Sequence, residues 1–259
     1  MLFQSSLRWL LMAAAATATP FLEPRGVSEG FTGEVELFKR GANLEARDLQ
    51  LAEAHGVNLT EMHKHSVLKR HDGDHVTIWV HSGIEDIEGS KIEKRQRARN
   101  DAGGRFKTGG RYSDFCYSHD RKKPKLDKNS PTSGGVEAMR SWARNTKGYW
   151  QLTADDRTWL DLVVAGSNGG ANAKYRIKII EVDTRYIGMG TDDVAADADF
   201  TRNENFVKIE GKWRSASYGW ETCAGREGTA PNEYPNDLQF MGRWRARVNF
   251  EIGPTGKNV

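Results

Sequence analysis

Cysteine is scarce in this 259-residue chain. Cys116 and Cys223 are its only two, too few for a small disulfide-stapled scaffold or a four-thiolate zinc site. Long apolar runs are missing as well. The longest is near the N-terminus, Trp9 to Ala16, and spanning a bilayer takes about 20 apolar residues. No later segment comes close, so no stable membrane insertion is expected. Histidine almost disappears after residue 81: six of the seven fall between His55 and His81, and only His119 follows. That argues against a two-histidine nuclease in the second half, and any Ser-His-Asp triad there would have to run through His119. Gly-x-Ser-x-Gly and His-Glu-x-x-His are both absent, and the glycine turn Gly166–Gly170 lacks the Lys-Ser/Thr of a phosphate loop. No catalytic residue, metal or cofactor is expected.

The N-terminus has the grammar of a secretory signal. Arg8 supplies a positive n-region and Trp9 to Ala16 the apolar core. Ala16-Thr17-Ala18 is a small-x-small cleavage site, with the cut after Ala18. The expected localisation is therefore secreted and extracellular. In that oxidising setting the two cysteines are expected to form one bridge, Cys116–Cys223, with two buried thiols or intermolecular pairing as the alternatives. Closing a loop of about 100 residues is worth about 4–5 kcal/mol in the chain-entropy model.

Charge is unevenly distributed, at a mean hydropathy of −0.69. Residues 1–95 carry 11 Lys/Arg against 14 Asp/Glu, and residues 96–259 carry 27 against 21. The basic half favours an anionic partner surface. Dibasic pairs at Lys39-Arg40, Lys69-Arg70 and Lys94-Arg95 are what secretory-pathway proteases cut, and the last lies where the charge balance changes. Residues 19–95 are accordingly expected to be a pro-segment or poorly ordered region, processed at Lys94-Arg95. Within it, His75 to His81 is β-branched and aromatic and reads as a strand. That strand either pairs with the downstream domain or forms an edge of the final protein. Asn58-Leu59-Thr60 is a glycosylation sequon.

Residues 96–111 are Gly- and Arg-rich and read as a linker; residues 112–252 look folded. Val136, Met139 and Ala143 share a helical stripe widened by Trp142. Strands are expected at 149–152, 159–165, 174–182, 206–209, 213–222 and 243–252, with a hairpin turn at Gly166–Gly170. A second helix starts at Thr191-Asp192-Asp193-Val194, its acids suiting the positive end of the helix dipole. The expected fold class is α+β: two helices packed on one face of a largely antiparallel sheet, an α/β sandwich.

Phe115-Cys116-Tyr117, Ser130-Pro131, the helix carrying Ala138 and Trp142, and Gly148-Tyr149-Trp150 together resemble the start of a fungal domain. That domain belongs to the secreted necrosis-inducing and killer-toxin-like effectors. Gly166-Ser167, Asp192-Asp193-Val194 and Cys223 continue the series, although Asn168 stands where that family has a further cysteine. The resemblance implies an effector or toxin-like protein with a virulence role, acting on a host or competitor cell. It carries over no catalytic residue.

Candidate chemistry is thin. His63-x-His65 and His71-Asp72-Gly73-Asp74-His75 could ligate a metal, but no Cys/His framework accompanies them. Asp155-Asp156 and Asp161 read as turn and strand acids. Two basic groups are candidate binding surfaces: the loop Arg121, Lys122, Lys123 and Lys125, and the alternating Arg243, Arg245 and Arg247 around Trp244. The leading expectation is an effector without a catalytic site. The alternatives are a secreted hydrolase or ribonuclease using His119, and a cell-wall carbohydrate-binding protein using surface tryptophans.

Overall fold

The computed structural model describes residues 31–39, 41–82, 105–108, 113–153, 157–182, 186–226 and 245–256. The signal cleavage site after Ala18, the dibasic pair Lys94-Arg95, Asp155-Asp156, and Arg243 with Trp244 lie outside these residues.

In chain order the elements are β1 (Phe31–Leu37), α1 (Ala46–Ala54), β2 (Met62–Arg70), β3 (His75–His81), β4 (Arg105–Thr108) and β5 (Cys116–Lys122). Then come α2 (Ser133–Asn145), β6 (Gly148–Thr153), β7 (Leu160–Gly166), β8 (Asn172–Val182), β9 (Tyr186–Gly190) and α3 (Thr191–Glu204). The last are β10 (Phe206–Ile209), β11 (Lys212–Ser215), β12 (Ser217–Arg226) and β13 (Arg245–Pro254). One antiparallel sheet runs β1-β2-β3-β7-β8-β13-β12-β9-β6-β4, with β5 on β12 beside this path. β10 and β11 form a separate hairpin.

The expected two-helix sandwich is corrected by this arrangement. The sheet has ten strands in its path and curls into a half-barrel, and its two faces are covered by different helices. On the inner face α2 and α3 pack on each other and on the sheet. Val136, Met139, Trp142 and Ala143 join Val76, Ile78, Val80, Tyr175, Ile177 and Phe250 in the main core. On the other face Leu51 and Ala52 of α1 meet Met62, Trp79 and Val164 in a smaller cluster. A sheet buried on both faces at β3 cannot belong to a one-sided sandwich.

The reason lies in residues 31–82. This stretch, read as pro-segment, supplies three strands and a helix. β3 bonds β7 in the register Ile78↔Ala165 and Val80↔Val163, so the strand expected at His75–His81 pairs with the downstream part of the chain. All of β3 except His75 is buried.

Downstream, the apolar stripe of α2 is buried as its spacing requires. The β7–β8 hairpin turns through Gly170, whose φ of 101° suits glycine. The strand expected at 213–222 divides into β11 and β12, the first pairing with β10 and bridging Thr132 through Arg214. Gly135 lets α2 lie directly on β8: a Cβ there would sit 2.7 Å from the Asn172 backbone nitrogen. Cross-helix ion pairs fasten α2 to α3, with Arg140 and Arg144 on Asp199 and Arg202 on Glu137.

Candidate functional site

Two groups of side chains stand out, on opposite faces of β12 and β5. Alternation along β12 sends Ser217, Gly219, Glu221 and Cys223 inward, and Tyr218, Trp220 and Thr222 outward. β5 follows the same rule, because His119 is registered opposite Glu221 and Arg121 opposite Gly219.

The inner group is a polar cluster within the apolar core. α3 contributes Asp193 and Asp197, four residues apart and so on one helix face, and β8 contributes Tyr175. His119 Nδ1 lies 3.1 Å from Glu221 Oε2. Arg121 donates through Nε to Asp197 at 2.7 Å and through its terminal nitrogen to His119 Nδ1 at 3.2 Å. The Tyr175 hydroxyl donates to Asp197 Oδ2 at 2.9 Å. Asp193 accepts the backbone N–H groups of Phe115, Cys116 and Gly190 at 2.7 to 3.2 Å, tying the start of β5 to the start of α3.

Protonation follows from the donors. A guanidinium only donates, so the His119 Nδ1 facing Arg121 presents a lone pair and His119 is neutral with its proton on Nε2. Burial, helped by the Arg121 charge, pushes the His119 pKa down in agreement. Glu221 Oε2 approaches the same ring nitrogen as Arg121. Burial, and next the charge of Asp197, push the Glu221 carboxyl well above its ordinary range. Burial also raises Asp197, with Arg121 pulling it back; Asp197 is the carboxylate that balances the guanidinium.

This cluster is well suited to holding β5, β8, β12 and α3 together and poorly suited to turnover. Glu221, Asp197 and Tyr175 are fully buried, and His119 is one-quarter exposed. Donor atoms of His119, Asp197 and Glu221 lie within 4.8 Å of one another. A cation there would compete with the guanidinium already bonded to two of the three. Cys116 and Cys223 also lie near Glu221, but their sulfurs are bonded to each other.

The outer group surrounds an open groove of about 540 Å³. Its floor is the solvent side of β13 and β12, with Asn249, Glu251, Tyr218 and Trp220. Lys122, Lys125 and Asp127 form one wall and Trp159 stands at the other end. Trp159, just ahead of β7, and Tyr218, on β12, are 41% and 45% exposed. Trp159 is covered on one side by the Arg176 guanidinium, 4.7 Å from its centroid. Trp220 donates to Asp120 Oδ2 at 3.0 Å and lies under Arg247 at 4.1 Å.

The expected site residues are dispersed by the fold. Cys116 and Cys223 are bridged, fastening β5 to β12. Of the basic loop, Arg121 turns inward to Asp197, and Lys123 pairs with Glu204 at 3.1 Å. Lys122 and Lys125 border the groove. Arg245 and Arg247 do share the outer face of β13, with Ala246 buried on the other, and Arg247 lies 4.0 Å from Glu181. Asn58 is exposed, and its side-chain oxygen accepts the Thr60 hydroxyl at 2.7 Å.

The histidines between 55 and 81 do not converge on a ligand set among the described residues. His55 bonds Thr255 at 2.6 Å, His65 accepts the Trp142 indole N–H at 3.1 Å, and His71 and His75 are exposed at a turn. Reading the sequence missed Asp193, Asp197, Tyr175 and Glu221, whose only signal was the i, i+4 spacing of the two aspartates. It missed that Trp159 and Tyr218 border one groove because they lie 59 positions apart in the chain. No protein-family model matches the chain, and no characterised relative matches its sequence. No helix among the described residues is long and apolar enough to cross a membrane.

Proposed function

We propose that this is a secreted effector or toxin-like protein that acts on a host or competitor cell by binding rather than by turnover. The observation carrying this reading is the outer face of β12 and β13, where Trp159 and Tyr218 remain exposed beside a preformed groove. Large rings left in water on a sheet face are characteristic of recognition surfaces. The signal sequence and the resemblance to necrosis-inducing and killer-toxin-like effectors support export and a cellular target. The inner cluster supports the absence of catalysis, because each of its carboxyls is sequestered from solvent.

The test applies the purified chain to intact fungal, bacterial and plant cells, scoring surface retention and viability. Parallel assays follow product release from RNA and from cell-wall polymers. Retention or killing without product release is the expected result. Sustained turnover of either polymer would sink the binding reading.

One observation favours a hydrolase or ribonuclease instead: the His119 ring is held by Glu221 and Arg121 and is one-quarter exposed, so a histidine in reach of solvent stands beside an acid and an arginine. Under this second reading, His119→Gln, which keeps a hydrogen-bonding group beside Glu221 and Arg121, abolishes polymer turnover in a chain that still folds.

A further inference from the structure

We propose that the groove between Trp159 and Tyr218 is a binding site for a neutral polysaccharide chain. The inference rests on the reading of this molecule as a binding protein and names the chemistry its exposed face would take.

The register places the rings. Arg176, Glu251, Tyr218 and Lys122 stand side by side across β8, β13, β12 and β5. Trp159 lies over Arg176, so it is separated from Tyr218 by two strand spacings, about 10 Å. Trp220 follows Tyr218 on the same face, about 7 Å further along β12. The rings thus bound a shallow trough open along its length, the shape an extended chain needs. Pyranose rings present flat C–H surfaces that stack on aromatic faces, and their hydroxyls seek donors and acceptors at the edges.

The polar groups choose among partners. Two cations, Lys122 and Lys125, and two carboxylates, Asp127 and Glu251, line the trough together with the Asn249 amide. The charges balance. Lys122 already lies 3.5 Å from Asp120, and Arg176 bonds Glu251 at 2.8 Å. A polyanion would meet Asp120 beside Lys122 and Glu251 beside Arg176 and gain little at either, whereas hydroxyl groups donate to the carboxylates and accept from the lysines. The two further cations of this loop, Arg121 and Lys123, are engaged by Asp197 and Glu204.

The wall is also rigid before anything binds. Asp127 accepts the backbone N–H groups of Asn129 and Ser130, both at 2.9 Å. Pro124, Pro131 and Pro254 punctuate the rim. Little ordering entropy therefore opposes association.

The experiment measures retention of the full secreted chain on insoluble chitin and β-1,3-glucan, with soluble oligosaccharides for titration. Polygalacturonate and single-stranded RNA serve as anionic probes. Expected is retention on a neutral glycan that changes less than about twofold between about 50 and 500 mM NaCl. Trp159→Ala and Tyr218→Ala should each weaken it about tenfold at an unchanged melting temperature. Tyr218→Phe should restore it, and Lys123→Ala, outside the groove, should have no effect. Binding only to the anionic probes, collapsing with salt, overturns the proposal. So does glycan retention indifferent to both ring variants. Cell-surface retention without retention on any glycan removes the groove assignment and leaves the binding reading standing. Polymer turnover removes the binding reading itself.

Discussion

At the residue scale the informative groups are those whose protonation is set by burial. Burial, and next the charge of Asp197, hold the Glu221 carboxyl well above its ordinary range, which favours its protonated form at neutral pH. Glu221→Gln retains a donor and escapes the cost of keeping a carboxyl protonated above its ordinary pKa, so it should raise rather than lower the unfolding free energy at neutral pH. Glu221→Ala leaves a void and unpaired partners and should cost about 2–4 kcal/mol. Asp197→Asn, which breaks the pair with Arg121, should cost about 3 kcal/mol. Denaturant titration of the three variants decides this, and a costly E221Q would show Glu221 to be ionised. A folded-state pKa raised above the unfolded value gives stability that is lost as pH rises through it. The E221Q chain should therefore gain on the native chain as the solution becomes alkaline.

His65 has the opposite sign. Burial lowers its pKa to about 4, and as a neutral ring it accepts the Trp142 N–H. Between its unfolded pKa, about 6.5, and 4, the unfolded chain binds more protons. Its contribution is complete above pH 6.5 and is lost as the solution acidifies towards pH 4, by about 2–3 kcal/mol at most. His55 and His119 are lowered as well and add to the same slope. His65→Gln keeps an acceptor but cannot titrate. Urea midpoints at pH 7 and pH 5 should therefore differ less in this variant than in the native chain. An equal difference would remove His65 from the account.

At the element scale, β5 is the vulnerable piece. Among the described residues it pairs only with β12, and it is otherwise held by the bridge, by Asp193 and by the inner cluster. Replacing both cysteines with serine should cost about 2–5 kcal/mol, measured as a lower midpoint for the single unfolding transition. Gly219 leaves no room for a side chain against β5: a Cβ there would lie 2.1 Å from the Asp120 carbonyl oxygen. Gly219→Ala should push β5 outward and cost about 1–3 kcal/mol. It should also speed hydrogen exchange along Cys116–Lys122 more than along α2. Helices α2 and α3 were legible because their signals are local. Asp192 and Asp193 lie in the first turn of α3, and the stripe through Val136, Met139 and Ala143 is the buried face of α2. The break between β11 and β12 was not, since Lys212–Ser215 and Ser217–Arg226 read as one strand until their partners are known.

At the scale of the whole molecule, residues 31–82 and the remainder share one sheet. Val76, Ile78 and Val80 lie in the main core with Trp142 and Val163, each contributing about 1.5–3 kcal/mol by leaving water. A cut near Arg95 should therefore leave two chains that co-elute in size exclusion. Separated by denaturant, the downstream piece should refold poorly without its partner. If the piece beginning at Gln96 folds alone with an unchanged melting temperature, β3 is dispensable to the core.

What the sequence determined by itself was what depends on neighbours in the chain: the periodicity of α2, the start of α3, the β7–β8 turn, the strand at His75–His81, and the bridge expected from two cysteines. What only the tertiary structure decided was which strand lies beside which. Pairing is set by burial summed over both sheet faces, so a polar, histidine-rich stretch that looked separable became β1, α1, β2 and β3. The same pairing divided the basic loop, turning Arg121 inward to Asp197 and leaving Lys122 and Lys125 beside Trp159 and Tyr218. A side chain's direction on a strand alternates with every residue, and only its register against a partner determines which face meets water.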